Sequence, residues 1–174
     1  MKILVAGVGN VLRGDDGFGI RVIEALLKDD RIPDGVDLYE AGIAGIALVQ
    51  ELMNGYDALI VADAVDKGVT PGTLFVLEPI TPDAGGSITT QEDAIRLHQS
   101  MVDAHYAEPS KVLMLARALN VCPPQVFIVG CQPACLEEPV EHLDPAVKRA
   151  VTMAVERVLS LIETLKQTTP DLQG

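Results

Sequence analysis

The sequence predicts a three-layer α/β sandwich, with a twisted, mostly parallel sheet of about five strands flanked by helices. Three observations predict it. Strand-sized apolar runs alternate along the chain with stretches of helical periodicity. The runs are close to continuous in Val, Ile, Leu and Ala, as strands covered on both faces are. Glycine-rich or Pro-Gly turns separate most of these segments from the next.

Residues 2–7 read as the first strand, and 17–28 as an amphipathic helix with Phe18, Ile20, Val22, Ile23, Leu26 and Leu27 at its apolar positions. Pro33-Asp34-Gly35 is turn chemistry and leads into a short strand at 36–40. Gly42 and Gly45 bracket a loop into a helix from Ile46 to Met53, which Asn54-Gly55 ends. Asp57 to Asp63, DALIVAD, has the strongest buried-strand pattern of the chain. Turns at Lys67-Gly68 and Pro71-Gly72 deliver a strand from Thr73 to Leu77, the one strand for which an antiparallel setting is open. Residues 79–92 carry Pro, Gly, Ser and Thr without periodicity and read as a loop. Helical pattern returns over 92–104, and again over 110–120 after Glu108-Pro109. Gln125 to Gly130 is the next strand. The final helix starts at Asp144-Pro145, aspartate as N-cap and proline in the first turn, and runs past Ile162. With no internal repeat and no linker, 1–166 reads as a single domain and 167–174 as a frayed tail.

Composition excludes several function classes. The 174 residues are 48% hydrophobic but only 3% aromatic, without Trp, so the core is aliphatic. Mean hydropathy is +0.27, yet no apolar run approaches the ~20 residues of a membrane span. A formal charge of −12 argues against nucleic acid, whose phosphates call for clustered cations. The chain enters its first strand within two residues, so a secretory leader is not expected and a cytoplasmic location is. Cys122, Cys131 and Cys135 form no Cys-x-x-Cys pair, and their odd number fits a reducing compartment.

The most informative stretch is Gly7-Val8-Gly9-Asn10-Val11-Leu12-Arg13-Gly14-Asp15-Asp16-Gly17-Phe18-Gly19, beyond the end of the first strand. Glycines there permit sharp turning and close backbone approach, and in open α/β sheets the crevice beyond the strand ends holds the ligand. Adjacent acids suit a cation or the activation of water, whereas a phosphate loop presents amide hydrogens or a lysine. Asp63 ends the DALIVAD strand in the same way. If the two strands are neighbours, Asp63 and the Asp15–Asp16 loop face one crevice. Either acid of the pair also reads as a cap for the following helix, and Asn10 as a residue that holds the loop through backbone bonds. A divalent site of this kind also calls for an imidazole, which His98, His105 or His142 would supply.

GVGNVLRGDDGFG after KILVA, then EAGIAG, LIVADAVD with PGTLFVLEP, and a His before VLMLARAL together resemble the hydrogenase maturation endopeptidases over roughly residues 1–160. The resemblance implies an endopeptidase that removes the C-terminal extension of a nickel–iron hydrogenase large-subunit precursor after nickel insertion. Matched motif by motif, it implies Asp16, Asp63 and His105 as the metal-contacting set, with Asp16 and Asp63 also catalytic in the manner of an aspartyl protease. His98 competes with His105, because the segment 79–104 is longer than the family pattern. EAGIAG has Glu40 and Ile43 where an Asp-Gly-Gly-Thr type of sequence is commoner, which makes Glu40 a secondary catalytic candidate.

The implied metal is nickel brought by the substrate. No His-Glu-x-x-His helix is present, so a resident catalytic zinc is not expected. The expected partner is the large-subunit precursor, with neither nucleic acid nor membrane. Two other classes compete. A non-proteolytic assembly chaperone or adaptor would bind the same subunit without cutting it. A dinucleotide-binding oxidoreductase would need its third glycine at position 12, where Leu12 stands.

Overall fold

The computed structural model describes residues 1–43, 45–78, 108–136 and 141–168. In chain order these form β1 (Ile3–Val8), a 3-10 turn (Gly14–Gly17), α1 (Phe18–Leu26), β2 (Val36–Gly42), α2 (Gly45–Leu52), β3 (Ala58–Ala64), β4 (Leu74–Leu77), α3 (Glu108–Ala118), β5 (Gln125–Cys131) and α4 (Pro145–Thr168). The strand order is β2-β1-β3-β5-β4, parallel throughout except for β4, which runs antiparallel to β5. A four-residue edge strand reached through a short loop cannot cross over, so it returns antiparallel.

Strand alternation divides the core into two halves. Ile3, Val5, Ile60, Ala62 and Val129 point to the face covered by α1 and α4, where they meet Phe18, Ile23, Val158 and Ile162. Leu4, Ala6, Val8, Leu59, Val61 and Ile128 point to the other face and meet α2 and α3 through Leu48, Leu52, Leu113 and Ala116. β1 and β3 are buried along their whole lengths because helices cover both of their faces.

Two glycines fix how closely α1 approaches the sheet. A Cβ on Gly19 would stand 2.1 Å from the Ala62 carbonyl oxygen, and one on Gly7 would stand 2.4 Å from the Gly19 carbonyl oxygen. The first turn of α1 therefore lies directly on the ends of β1 and β3.

The expected elements recur with shifted ends. The helix expected over 17–28 is preceded by a 3-10 turn and stops at Leu26. The strand expected at 36–40 continues to Gly42, since Val8 of β1 pairs with Gly42 past an irregularity after Gly7. Asp144 does cap the last helix: its Oδ1 accepts the Ala146 N–H at 2.7 Å. That helix extends to Thr168, two residues into the segment read as a tail. The loop 79–92, the helix 92–104, His98 and His105 lie outside the described residues.

Candidate active site

β1 and β3 are adjacent and parallel, with Gly7 opposite Ala62. Asp63 is therefore the next residue of β3 beside Val8, where the loop carrying Asp15 and Asp16 departs. Its neighbour on the other side is Gly130 of β5, which in turn pairs with Phe75 of β4. A Cβ on Gly130 would meet the Phe75 ring at 2.3 Å, so the missing side chain leaves that ring room to lie against the strand. By alternation Asp63 shares the face of Leu59 and Val61, beneath α2 and α3, and it is 3% exposed.

The loop after β1 is held by its own polar groups. Asn10 donates its backbone N–H to Asp16 Oδ2 at 2.9 Å, and Asn10 Oδ1 accepts the Leu12 N–H at 3.0 Å. Gly9 adopts φ +127, and a Cβ there would lie 1.8 Å from the Asp16 carbonyl oxygen. Only glycine lets the 3-10 turn fold back this closely over the end of β1. The turn brings Asp16 to the mouth of the crevice while leaving it only partly buried.

The two adjacent acids divide their labour, and neither caps α1, whose N-cap is Gly17 without a side-chain bond. Asp15 is 3% exposed and turns away from the helix. Its Oδ2 accepts the N–H groups of Ala134 at 2.8 Å and Cys135 at 3.3 Å, and its Oδ1 accepts that of Asp144 at 2.7 Å. It fastens the segment after β5 and the start of α4 to the glycine-rich loop. Burial pushes the nearby Cys131 thiol up to about 12, and the Asp15 carboxylate adds to the effect.

Gln132 is a residue that sequence reading passed over. Buried just beyond β5, it accepts the N–H groups of Lys67 at 2.7 Å and Val69 at 3.3 Å through Oε1. Its Nε2 donates to Asp66 Oδ1 at 2.8 Å and to the Pro133 carbonyl at 3.2 Å. One amide thus moulds the loop that leaves β3 three residues after Asp63. This amide and the Gly68 N–H hold the Asp66 carboxyl below its ordinary value. A glutamine after a strand has no sequence signal of its own. Its role appears only with its partners, more than sixty residues upstream.

The other candidates fall elsewhere. Glu40 is exposed on β2, and alternation sets it with Val36 and Leu38 on the α1 side of the sheet, opposite to Asp63. His142 lies by the start of α4, beside Arg21 and Lys148. Among the described residues, no three His, Cys, Asp or Glu side chains converge closely enough to hold a metal.

A family model described as hydrogenase maturation protease matches residues 20–161 of this chain. The chain belongs to the hydrogenase maturation protease family. It is 34% identical to the hydrogenase 2 maturation protease of Escherichia coli K12, over 93% of this chain and 91% of that one. It is 38% identical to the hydrogenase expression/formation protein HupM of Azotobacter chroococcum, over 90% of this chain and 73% of that protein. The solved structure of the E. coli hydrogenase maturating endopeptidase HybD superposes with a TM-score of 0.72 at 31% identity, covering 94% of this chain and 93% of that one. This maturation protease is therefore an endopeptidase, and the dinucleotide-binding reading is set aside. No helix among its described residues is long and apolar enough to cross a membrane.

Proposed function

We propose that this maturation protease removes the C-terminal extension of a nickel–iron hydrogenase large-subunit precursor, and that it recognises the nickel which the precursor already carries. The observation that supports this most is the β1–β3 adjacency, which sets Asp63 beside the loop bearing Asp16. Two carboxylates leaving neighbouring strands offer hard oxygen donors from two directions. An imidazole from His105 would complete a mixed set suited to a borderline divalent ion. Nickel is then cargo of the substrate, and cutting reports that insertion has taken place.

Hydrolysis adds water across the peptide bond. Asp16, the less buried of the two acids, is placed to take the proton of the attacking water, while nickel beside the scissile carbonyl would polarise it. Asp15 takes no part in this chemistry, because its lone pairs face three backbone N–H groups. The three cysteines are all free thiols, which supports a cytoplasmic place of work.

The test is incubation of the protein with nickel-loaded and nickel-free precursor, followed by intact mass measurement. The expected result is a shortened large subunit and a released peptide from the loaded form only. An unchanged mass for loaded precursor that nonetheless binds would make the protein an adaptor. Equal cleavage of both forms would remove nickel from recognition.

A further inference from the structure

We propose that the carboxyl end of the sheet carries a preorganised apolar docking rim, formed by Leu12, Ile43, Ile46 and Val69, for aliphatic side chains of the precursor's C-terminal segment. The inference rests on the function proposed above and adds how the polypeptide, as distinct from its metal, is gripped.

Leu12, Ile43 and Ile46 leave more than half of their surface exposed, and Val69 nearly half. In a chain whose other aliphatic residues mostly fill two cores, such exposure at one end of the molecule calls for a reason. All four follow strand ends on the side where Asp16 and Asp63 lie. Leu12 follows β1, Ile43 follows β2, Ile46 lies in the first turn of α2, and Val69 is in the loop after β3.

Their backbones are pinned. Leu12 donates its N–H to Asn10 Oδ1, and Val69 donates its own to the buried Gln132 amide. Ile43 follows Gly42, which turns with φ +60 and accepts the Gly9 N–H at 3.1 Å through its carbonyl. Loops fixed in this way present apolar side chains without the ordering cost that flexible loops incur on binding.

Charge narrows the occupant. The acids between these side chains, Asp16 and Asp63, belong to a chain of net charge −12. That mouth repels an acidic segment and favours one with aliphatic residues beside a cationic centre. A polypeptide cut at Asp16 and Asp63 must also cross the strand ends on either side of them, where these side chains stand.

The experiment compares the unaltered protein with the variant Leu12→Ser/Ile43→Ser/Val69→Ser. A control, Leu27→Ser/Met53→Ser, alters equally exposed apolar residues at the opposite end of the sheet. Affinity for immobilised nickel-loaded precursor and the kinetics of clipping are both read. The rim variant is expected to bind at least about tenfold more weakly and to raise KM in proportion, with kcat within about twofold and the control unchanged. Equal affinity of rim variant and unaltered protein overturns the docking rim, as does failure of the unaltered protein to bind precursor. Precursor that binds through the rim but is never clipped overturns the proteolytic reading and leaves the rim standing. Sedimentation showing a dimer that only the rim variant dissolves assigns the surface to a second copy, and also overturns the proposal.

Discussion

The carboxylate of Asp15 accepts the backbone N–H of Asp144 at 2.7 Å, joining groups 129 residues apart. Asp144 in turn caps α4 through Ala146, so one buried acid ties the glycine-rich loop to the start of the longest helix. Asp15→Ala leaves three N–H groups without their acceptor and is expected to cost about 3 kcal/mol. In a domain of this size that lowers the thermal midpoint by roughly 6–12 °C. A melting curve checks it, and an unchanged midpoint would deny Asp15 its structural role.

Asp16→Asn should behave in the opposite way. An asparagine Oδ1 can still accept the Asn10 N–H, so the loop keeps its shape. The melting midpoint is expected to stay within about 2 °C, while clipping of loaded precursor falls by at least about 100-fold. Turnover close to that of the unaltered protein would remove Asp16 from the chemistry.

Gly9→Ala tests position without touching an acid. The added methyl would lie 1.8 Å from the Asp16 carbonyl oxygen, in a backbone conformation that L side chains rarely adopt. Asp16 must move, and a displacement near 1 Å costs on the order of 100-fold in rate. Backbone NMR shifts confined to residues 8–17, with activity lost, are the expected outcome.

Gln132→Leu removes the amide that serves Lys67, Val69 and Asp66. A loss of about 2 kcal/mol is expected, because buried partners are left unsatisfied. The Asp66 carboxyl should move back up toward its ordinary 3.8. Since its folded value is lowered, Asp66 contributes stability that is complete above 3.8 and lost as pH falls through the lowered value. The variant should therefore show a smaller loss of stability below that pH, read by acid titration of the Asp66 carboxyl resonance alongside unfolding.

Cys131 and Cys135 should differ sharply toward thiol reagents. Cys131 is buried with its thiol pushed up to about 12, whereas Cys135 is exposed. At pH 8 only Cys135 of these two is expected to react before unfolding. The thiol titrates higher when folded than its ordinary 9.0, so its contribution is complete below 9.0 and is lost as pH rises through about 12. Rapid labelling of Cys131 in the native protein would contradict this.

The parts of the fold that follow from local rules were legible in the sequence. Period-two and period-3.6 patterning placed β1, β3, α1 and α4 to within a few residues. Pro-Gly and Asn-Gly pairs placed the turns, and Asp144-Pro145 marked a helix start that the structure reproduces. The loop GVGNVLRGDDGFG and its acids also stood out, because glycines and carboxylates beyond a strand end are unusual in themselves. The chain alone did not separate Asp15 from Asp16, since both satisfy the same capping pattern. Nor did it reveal Gln132, or that Glu40 alternates to the face opposite Asp63.

Sequence by itself determined the order of elements, the aliphatic composition of the core and the presence of acids after β1 and β3. Those features depend on residues a few positions apart, where φ/ψ preference and hydrophobic period act directly. Tertiary structure decided that β1 and β3 are neighbours, that Asp15 is fastened to Ala134, Cys135 and Asp144, and that Asp16 is left at the mouth of the crevice. Buried carboxylates take whichever N–H groups packing brings within reach, and here those groups lie about 120 residues along the chain.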